Sequence, residues 1–199
     1  MNAKLERLGP DTVHVAVDMQ RLFAEDTGWQ VPSFAEILPN VRRLAGHRPK
    51  RTLYPCFVTP LSASAARGVW RSFYRRWPQV TDGRLPANRL DLVAALSDLA
   101  PAAARIDKEG FSSYSGPGFA PALERLDTRT IVLSGVETDI CVLGTALDAV
   151  DRGLRVVIAV DAVTSSSLPA HRATLEHIFP RHEPMIDLAT TEAILAAWQ

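Results

Sequence analysis

The sequence predicts an α/β fold: a single three-layer domain over residues 1–199, built on a doubly wound, mainly parallel sheet. Three observations predict it. Short β-branched apolar runs alternate with segments of helical periodicity, the pattern of a parallel sheet covered by helices on both faces. With 199 residues, 47% of them hydrophobic, the chain is long enough to bury one full core. No Gly/Ser linker, shift in composition or internal repeat divides it.

Each element follows from its own pattern. Thr12 to Val17 is a β-branched run that reads as a buried strand ending at Asp18. Phe34 to His47 carries Phe34, Ile37, Leu38, Val41 and Leu44 at helical spacing, with Pro39 obscuring where the helix starts. Thr52 to Val58 is a second strand, closed by Thr59-Pro60. Arg67 to Trp77 is helical, and Leu90 to Leu99 places Leu92, Val93, Leu96 and Leu99 on one helical face. Arg105-Ile106-Asp107 is a short strand leading to Lys108, and residues 118–126 form a short helix. Thr130 to Ser134 is a strand, and Ile140 to Arg152 a helix stopped by Gly153. Arg155 to Val160 is a strand, His171 to Phe179 a helix, Met185 to Leu188 a last strand, and Thr190 to Trp198 a closing helix.

Composition narrows the function. The 22 Lys and Arg balance 22 Asp and Glu, which argues against nucleic acid or an anionic membrane surface as a partner. No apolar run reaches the roughly 18 residues of a membrane span, and Met1 to Arg7 lacks the pattern of a secretory signal. Cys56 and Cys141 are too few for a disulfide scaffold. A soluble cytoplasmic protein is the expectation. Only Lys4, Lys50 and Lys108 are lysines, so the placement of each is informative.

In an open parallel sheet, ligands sit beyond the carboxyl ends of the strands. That rule selects Asp18 after the first strand, Lys108 after the third, and Cys141 where a Gly-containing turn passes into a helix. A cysteine in a helix's first turn meets unpaired N–H groups and the positive end of the dipole. Both favour a thiolate, and a nearby lysine acts the same way. An Asp beside them can hold or shuttle the proton. Each residue also has a simpler reading. Cys141 could be a small buried hydrophobe, Asp18 a helix cap, and Lys108 a solvated loop lysine. Cys56, inside a strand, reads as core.

A resemblance in the motifs bears on that choice. Val17-Asp18-Met19-Gln20 with Phe23 downstream, Asp-Lys108-Glu-Gly-Phe-Ser-Ser-Tyr, Gly135-Val-Glu-Thr-Asp-Ile-Cys141-Val142, Thr145-Ala146, Asp148-Ala149, Asp161-Ala162 and His171 occur in order over residues 12 to about 192. This set resembles the isochorismatase-like cysteine hydrolases, which include nicotinamidases and N-carbamoylsarcosine amidohydrolases. The resemblance implies Cys141 as nucleophile, Asp18 as general base and Lys108 supporting both charges. It implies a cis peptide at Val136–Glu137, with the N–H groups of Glu137 and Cys141 as an oxyanion hole. It also implies a homo-dimer or homo-tetramer.

One departure matters. Nicotinamidases carry an Asp-x-His metal site after the second strand, where this chain has Val58-Thr59-Pro60, and no His occurs between His47 and His171. No metal and no cofactor are therefore expected. In the next segment, Trp70, Phe73, Tyr74 and Trp77 form an aromatic stripe beside Arg67, Arg71 and Arg75. The stripe either packs on the core or a second subunit, or caps the site with an Arg gripping a substrate carboxylate. Phe23, Trp29, Trp70, Tyr74 and Tyr114 are the substrate-pocket candidates. The expected activity is hydrolysis of a C–N bond in a small amide, carbamoyl or ureido compound through a thioester. Vinyl ether hydrolysis using Asp and Lys, and a non-catalytic scaffold, are the alternatives.

Overall fold

A computed structural model describes residues 5–101 and 104–199 of the chain. Strands β1 (Thr12–Val17), β2 (Thr52–Phe57), β3 (Arg105–Lys108), β4 (Thr130–Val136), β5 (Arg155–Thr164) and β6 (Ile186–Ala189) form one sheet. Their order is β3-β2-β1-β4-β5-β6, and every neighbouring pair is parallel. Every residue of β1, β2 and β4 is buried, because both faces of the sheet are covered and each side chain needs an apolar neighbour. The edge strands β3 and β6 each expose one residue, Asp107 and Leu188.

The α-helices among the described residues are α1 (Arg21–Ala24), α2 (Phe34–His47), α3 (Trp70–Arg76), α4 (Ala94–Ser97), α5 (Phe119–Arg125), α6 (Leu143–Asp151), α7 (Leu168–Ala173) and α8 (Thr191–Ala197). From β1 the chain runs outward through β2 to β3, then crosses back to β4 and runs outward the other way. Right-handed crossovers therefore put α2 and α6 on opposite faces. α2 packs with α8 and against β1, β4 and β5, while α6 packs on β5 and the Ser113–Ser115 turn. The crevice where the order reverses opens beyond the carboxyl ends of β1 and β4, the place such a sheet binds ligands.

Several elements differ from the sequence expectation for identifiable reasons. α2 spans Pro39 within its body, giving up one hydrogen bond to the Ala35 carbonyl. The helix expected over Leu90–Leu99 is reduced to α4, because the segment before it is tied to the loop after β1. Arg21 N–H donates to the Asp91 carbonyl at 2.9 Å, Val93 N–H to the Met19 carbonyl at 3.1 Å, and the Gln20 amide to the Leu90 carbonyl at 2.8 Å. The helix expected from Ile140 starts as a π-helical turn, Thr138–Val142, before α6, and Gly153 follows α6 at φ +79°. α7 begins before His171, where the Ser167 side chain caps it by accepting from Ala170 N–H, and passes into a second π turn, Thr174–Ile178.

Candidate active site

The floor of the crevice is built from three strand ends. Asp18 closes β1 at φ +53°, a left-handed conformation uncommon outside glycine, and its N–H donates to the Pro55 carbonyl of β2 at 2.9 Å. Gly135 lies opposite Val17 in the β1–β4 register at φ +104°. A Cβ at Gly135 would overlap the Val17 carbonyl, so this close approach requires glycine. The next peptide bond, Val136–Glu137, is cis. Gln20 ties β1 to β2: its side chain accepts from Phe57 N–H at 2.7 Å and donates to the Phe57 carbonyl at 3.0 Å.

Lys108, at the end of β3, reaches the same floor. Its Nζ lies 3.0 Å from Asp18 Oδ2, and both side chains are wholly buried. The ammonium donates to the carbonyls of Gly110 and Phe111 at 3.0 and 3.1 Å and to Cys141 Sγ at 3.6 Å. Those three bonds use its three protons, so the Asp18 contact is an ion pair, and neither carboxylate oxygen accepts a well-formed hydrogen bond. Lys108 also sits 4.5 Å from the centre of the Phe57 ring. The π turn that carries Cys141 is fixed from below: Thr145 Oγ1 donates to the Cys141 carbonyl at 2.7 Å and accepts from Ser113 N–H at 2.9 Å. The structure thus brings Asp18, Lys108 and Cys141 together.

Burial dominates the charges here. It pushes the Asp18 carboxyl above the usual carboxylate range, and Lys108 only partly restores it. Burial also opposes the Lys108 charge, but Asp18 and then Cys141 more than offset it and hold the ammonium. For Cys141 burial raises the thiol, Lys108 pulls against it, and Asp18 raises it further. The expectation that the helix start and Lys108 would favour a resting thiolate is therefore corrected. Burial favours the thiol form of Cys141 and makes the Asp18 carboxylate beside it more basic than usual. Cys56, in β2, is also a buried thiol raised by burial, to about 12, but its Sγ only meets the carbonyl of Tyr54 at 3.4 Å.

Above the floor is a cavity of about 270 Å³ whose lining includes Cys141. Phe23 and Trp29 line it, as the sequence suggests. Trp70 and Tyr74 do not: they line a separate cavity of about 130 Å³ beside Thr59 and Glu109. Tyr114 is elsewhere, packed edge-on against Phe119 at 4.8 Å and under the Arg152 guanidinium at 4.1 Å. Phe57, Phe73, Trp77 and Phe111 complete the aromatic wall, with Glu137, Ile140 and Ser166 around Cys141. Phe57 is not among the candidates, although it ends β2, where the strand-end rule could have found it; Phe73 and Trp77 belong to the stripe, one helical turn apart. The arginine stripe is not part of this wall. Arg71 donates to the Ala66 carbonyl and Arg75 to Ser72 Oγ, both at 2.8 Å, and Arg67 faces Glu109 at 3.9 Å.

The family model for the Isochorismatase domain matches residues 12–190. The chain belongs to the isochorismatase family. Isochorismatase domain-containing protein 2 of Bos taurus is 42% identical over 76 residues, 35% of this chain and 37% of that protein. The chain thus aligns with little more than a third of the length of that curated relative. A cysteine hydrolase from Pseudomonas syringae superposes with a TM-score of 0.75 over 99% of this chain and 98% of its own, at 22% identity, a likeness of fold. A pyrazinamidase of Pyrococcus horikoshii, solved in complex with zinc, superposes at 0.72 over 91% of this chain and 99% of its own, at 25% identity.

The residues of this isochorismatase-family chain do not fit such a zinc ion. Three protein ligands are the usual minimum for a catalytic zinc. Among the described residues no three His, Cys, Asp or Glu side chains converge to hold a metal. Thr59, where β2 hands over to the loop, offers one buried hydroxyl with no hydrogen-bond partner. No helix among the described residues is long and apolar enough to cross a membrane.

Proposed function

We propose that this isochorismatase-family protein is a cysteine hydrolase that cleaves a C–N bond in a small amide, carbamoyl or ureido compound through a thioester. The observation that carries the reading is Cys141 at the floor of a cavity, its Sγ 3.6 Å from an ammonium that is itself 3.0 Å from Asp18. Cys56 is as buried, but its Sγ meets the Tyr54 carbonyl and it does not line that cavity.

Asp18 takes the thiol proton as sulfur bonds to the substrate carbonyl carbon, and the carbonyl π pair moves to oxygen. Backbone N–H groups of Glu137 and Cys141 hold that oxyanion. The proton passes from Asp18 to the substrate nitrogen as the C–N bond breaks, releasing ammonia or an amine. Water then yields a proton to Asp18 and adds to the thioester carbon. The C–S bond breaks, and sulfur recovers the proton. Lys108 keeps its charge throughout and stabilises first the carboxylate and then the thiolate. The raised carboxyl of Asp18 suits this role, since a resting thiol needs a base of greater strength than an exposed aspartate. The reading is supported, too, by the pyrazinamidase among the structural relatives. We expect a homo-dimer or homo-tetramer acting on a small molecule in the cytoplasm.

Ammonia release over a panel of small amides and ureido acids tests the activity. Rapid acid quench during turnover, followed by mass analysis of the Cys141 peptide, is expected to find an acyl adduct there and none on Cys56. Turnover without any adduct on Cys141, including under conditions that slow deacylation, would exclude the thioester. Iodoacetamide alkylating Cys56 and Cys141 at equal slow rates, with no turnover of any substrate, would favour a scaffold.

A further inference from the structure

The cavity over Cys141 combines two features that the proposed chemistry does not need. Its wall holds six aromatic rings, including Trp29, Phe73, Trp77 and Phe111, and among the described residues no Lys or Arg lines it; Lys108 meets it from behind, 4.5 Å from the Phe57 ring and paired with Asp18. Its one lining carboxylate is Glu137. Glu137 Oε1 accepts from Ser166 N–H at 3.1 Å, and the charges that reach it, those of Asp139 and Asp18, are both negative. The Asp18–Lys108 pair below is neutral as a unit, so Glu137 sets the sign of the cavity. A half-buried carboxylate without a cation is costly, and ring faces attract cations. The cavity therefore sets the Glu137 carboxylate beside ring faces with no cation of its own in the lining.

We infer that the substrate carries a cationic nitrogen, an ammonium or alkylammonium group held among these rings against the Glu137 carboxylate, with its amide or ureido carbonyl directed at Cys141. This rests on the cysteine hydrolase reading and names the substrate class for it. It also stands against the second of the two sequence readings of the stripe, an arginine that grips a substrate carboxylate, since none of Arg67, Arg71 and Arg75 lines the wall. Burial raises the Glu137 carboxyl, which is the mark of a charge short of a partner, and a bound ammonium would relieve it.

The test uses three amides of closely matched shape: 4-(aminomethyl)benzamide, 4-ethylbenzamide and 4-carbamoylbenzoate. Calorimetric binding to the full-length Cys141→Ala protein is expected to rank cation over neutral by about tenfold or more, with the anion weakest. Adding Glu137→Gln is expected to reduce the cation-to-neutral ratio to about threefold or less, and Phe111→Leu to reduce it by a smaller factor. Because the readout is a ratio within one variant, a general loss of binding does not imitate the effect. A neutral amide binding as well as the cation, an anion binding best, a ratio unmoved by Glu137→Gln, or no binding of any of the three would overturn the inference. Ammonia release from the same amides by the unmodified protein separates the two ideas. A retained preference in binding with no hydrolysis of any amide would sink the hydrolase reading and leave the cationic site standing.

Discussion

The floor of the cavity and its wall differ in origin. The floor is Asp18, Lys108 and Cys141, each set within a few residues of a strand end, the first two locked by main-chain bonds to β2 and the loop after it and Cys141 by the Thr145 hydroxyl. The wall is mostly rings brought in by the loops and short helices after β1, β2 and β3, touching each other at centroid distances such as 5.7 Å for Trp29–Phe73 and 6.4 Å for Phe73–Phe111. The floor is a rigid consequence of the sheet. The wall is an assembly of apolar contacts, and Phe111 is 44% exposed. Chemistry placed on the floor should therefore fail completely when one atom changes, while the wall should fail by degrees.

The largest expected effect is on the floor. Cys141→Ala should lower kcat/KM by at least about 10³-fold, with thermal unfolding little changed. A residual rate above about a tenth would remove the thioester and favour a route through Asp18 and Lys108, as in vinyl ether hydrolysis. Asp18→Asn should come next, with a loss of about 10² to 10⁴-fold. In the parent protein the rate should fall as the pH drops through the Asp18 pKa, since only the carboxylate accepts the thiol proton. Because that pKa is raised, the acid limb should lie above the ordinary aspartate range. An acid limb at or below that range, in kcat/KM measured on a substrate that does not titrate there, would mean that Asp18 is not the base.

On the wall, Trp29→Leu should raise KM by roughly tenfold with a smaller change in kcat, because it removes binding area without touching the reacting groups. Equal losses in kcat for Trp29→Leu and Asp18→Asn would abolish the distinction between wall and floor. The smallest effect expected is none at all. Dialysis against EDTA should leave the rate unchanged, and a loss restored by zinc, iron or manganese would show that a metal completes the floor.

The same contrast explains which features are legible in residue order. β1, β4 and α2 carry unbroken patterns, and their limits fall at or within a few residues of where periodicity puts them. The Leu90–Leu99 helix does not, because its first turn is claimed by Gln20, Arg21 and Met19 across the chain, a partner that no local pattern reveals. The aromatic stripe is legible as a stripe, yet which rings face the cavity depends on how α3 sits over β2. Phe73 and Trp77 line the cavity and Trp70 and Tyr74 line its neighbour, although all four lie within two turns of one helical pattern.

By itself the sequence determined the parallel α/β sheet, the strand ends on which Asp18, Lys108 and Cys141 stand, and the lack of an Asp-x-His pair directly after β2, where Val58-Thr59-Pro60 stands. These are properties of residue order, since hydrophobic period fixes the strands and the residues just past a strand's carboxyl end lie at the ligand-binding edge. Tertiary structure alone decided the charge state and the enclosure. Burial raises the Cys141 thiol despite Lys108, and the cavity's negative sign comes from Glu137 because the Arg67, Arg71 and Arg75 side chains turn elsewhere. The physical reason is that desolvation and charge pairing depend on which distant segments close over a group, and Asp18 takes its cation from Lys108, two strands further along the chain.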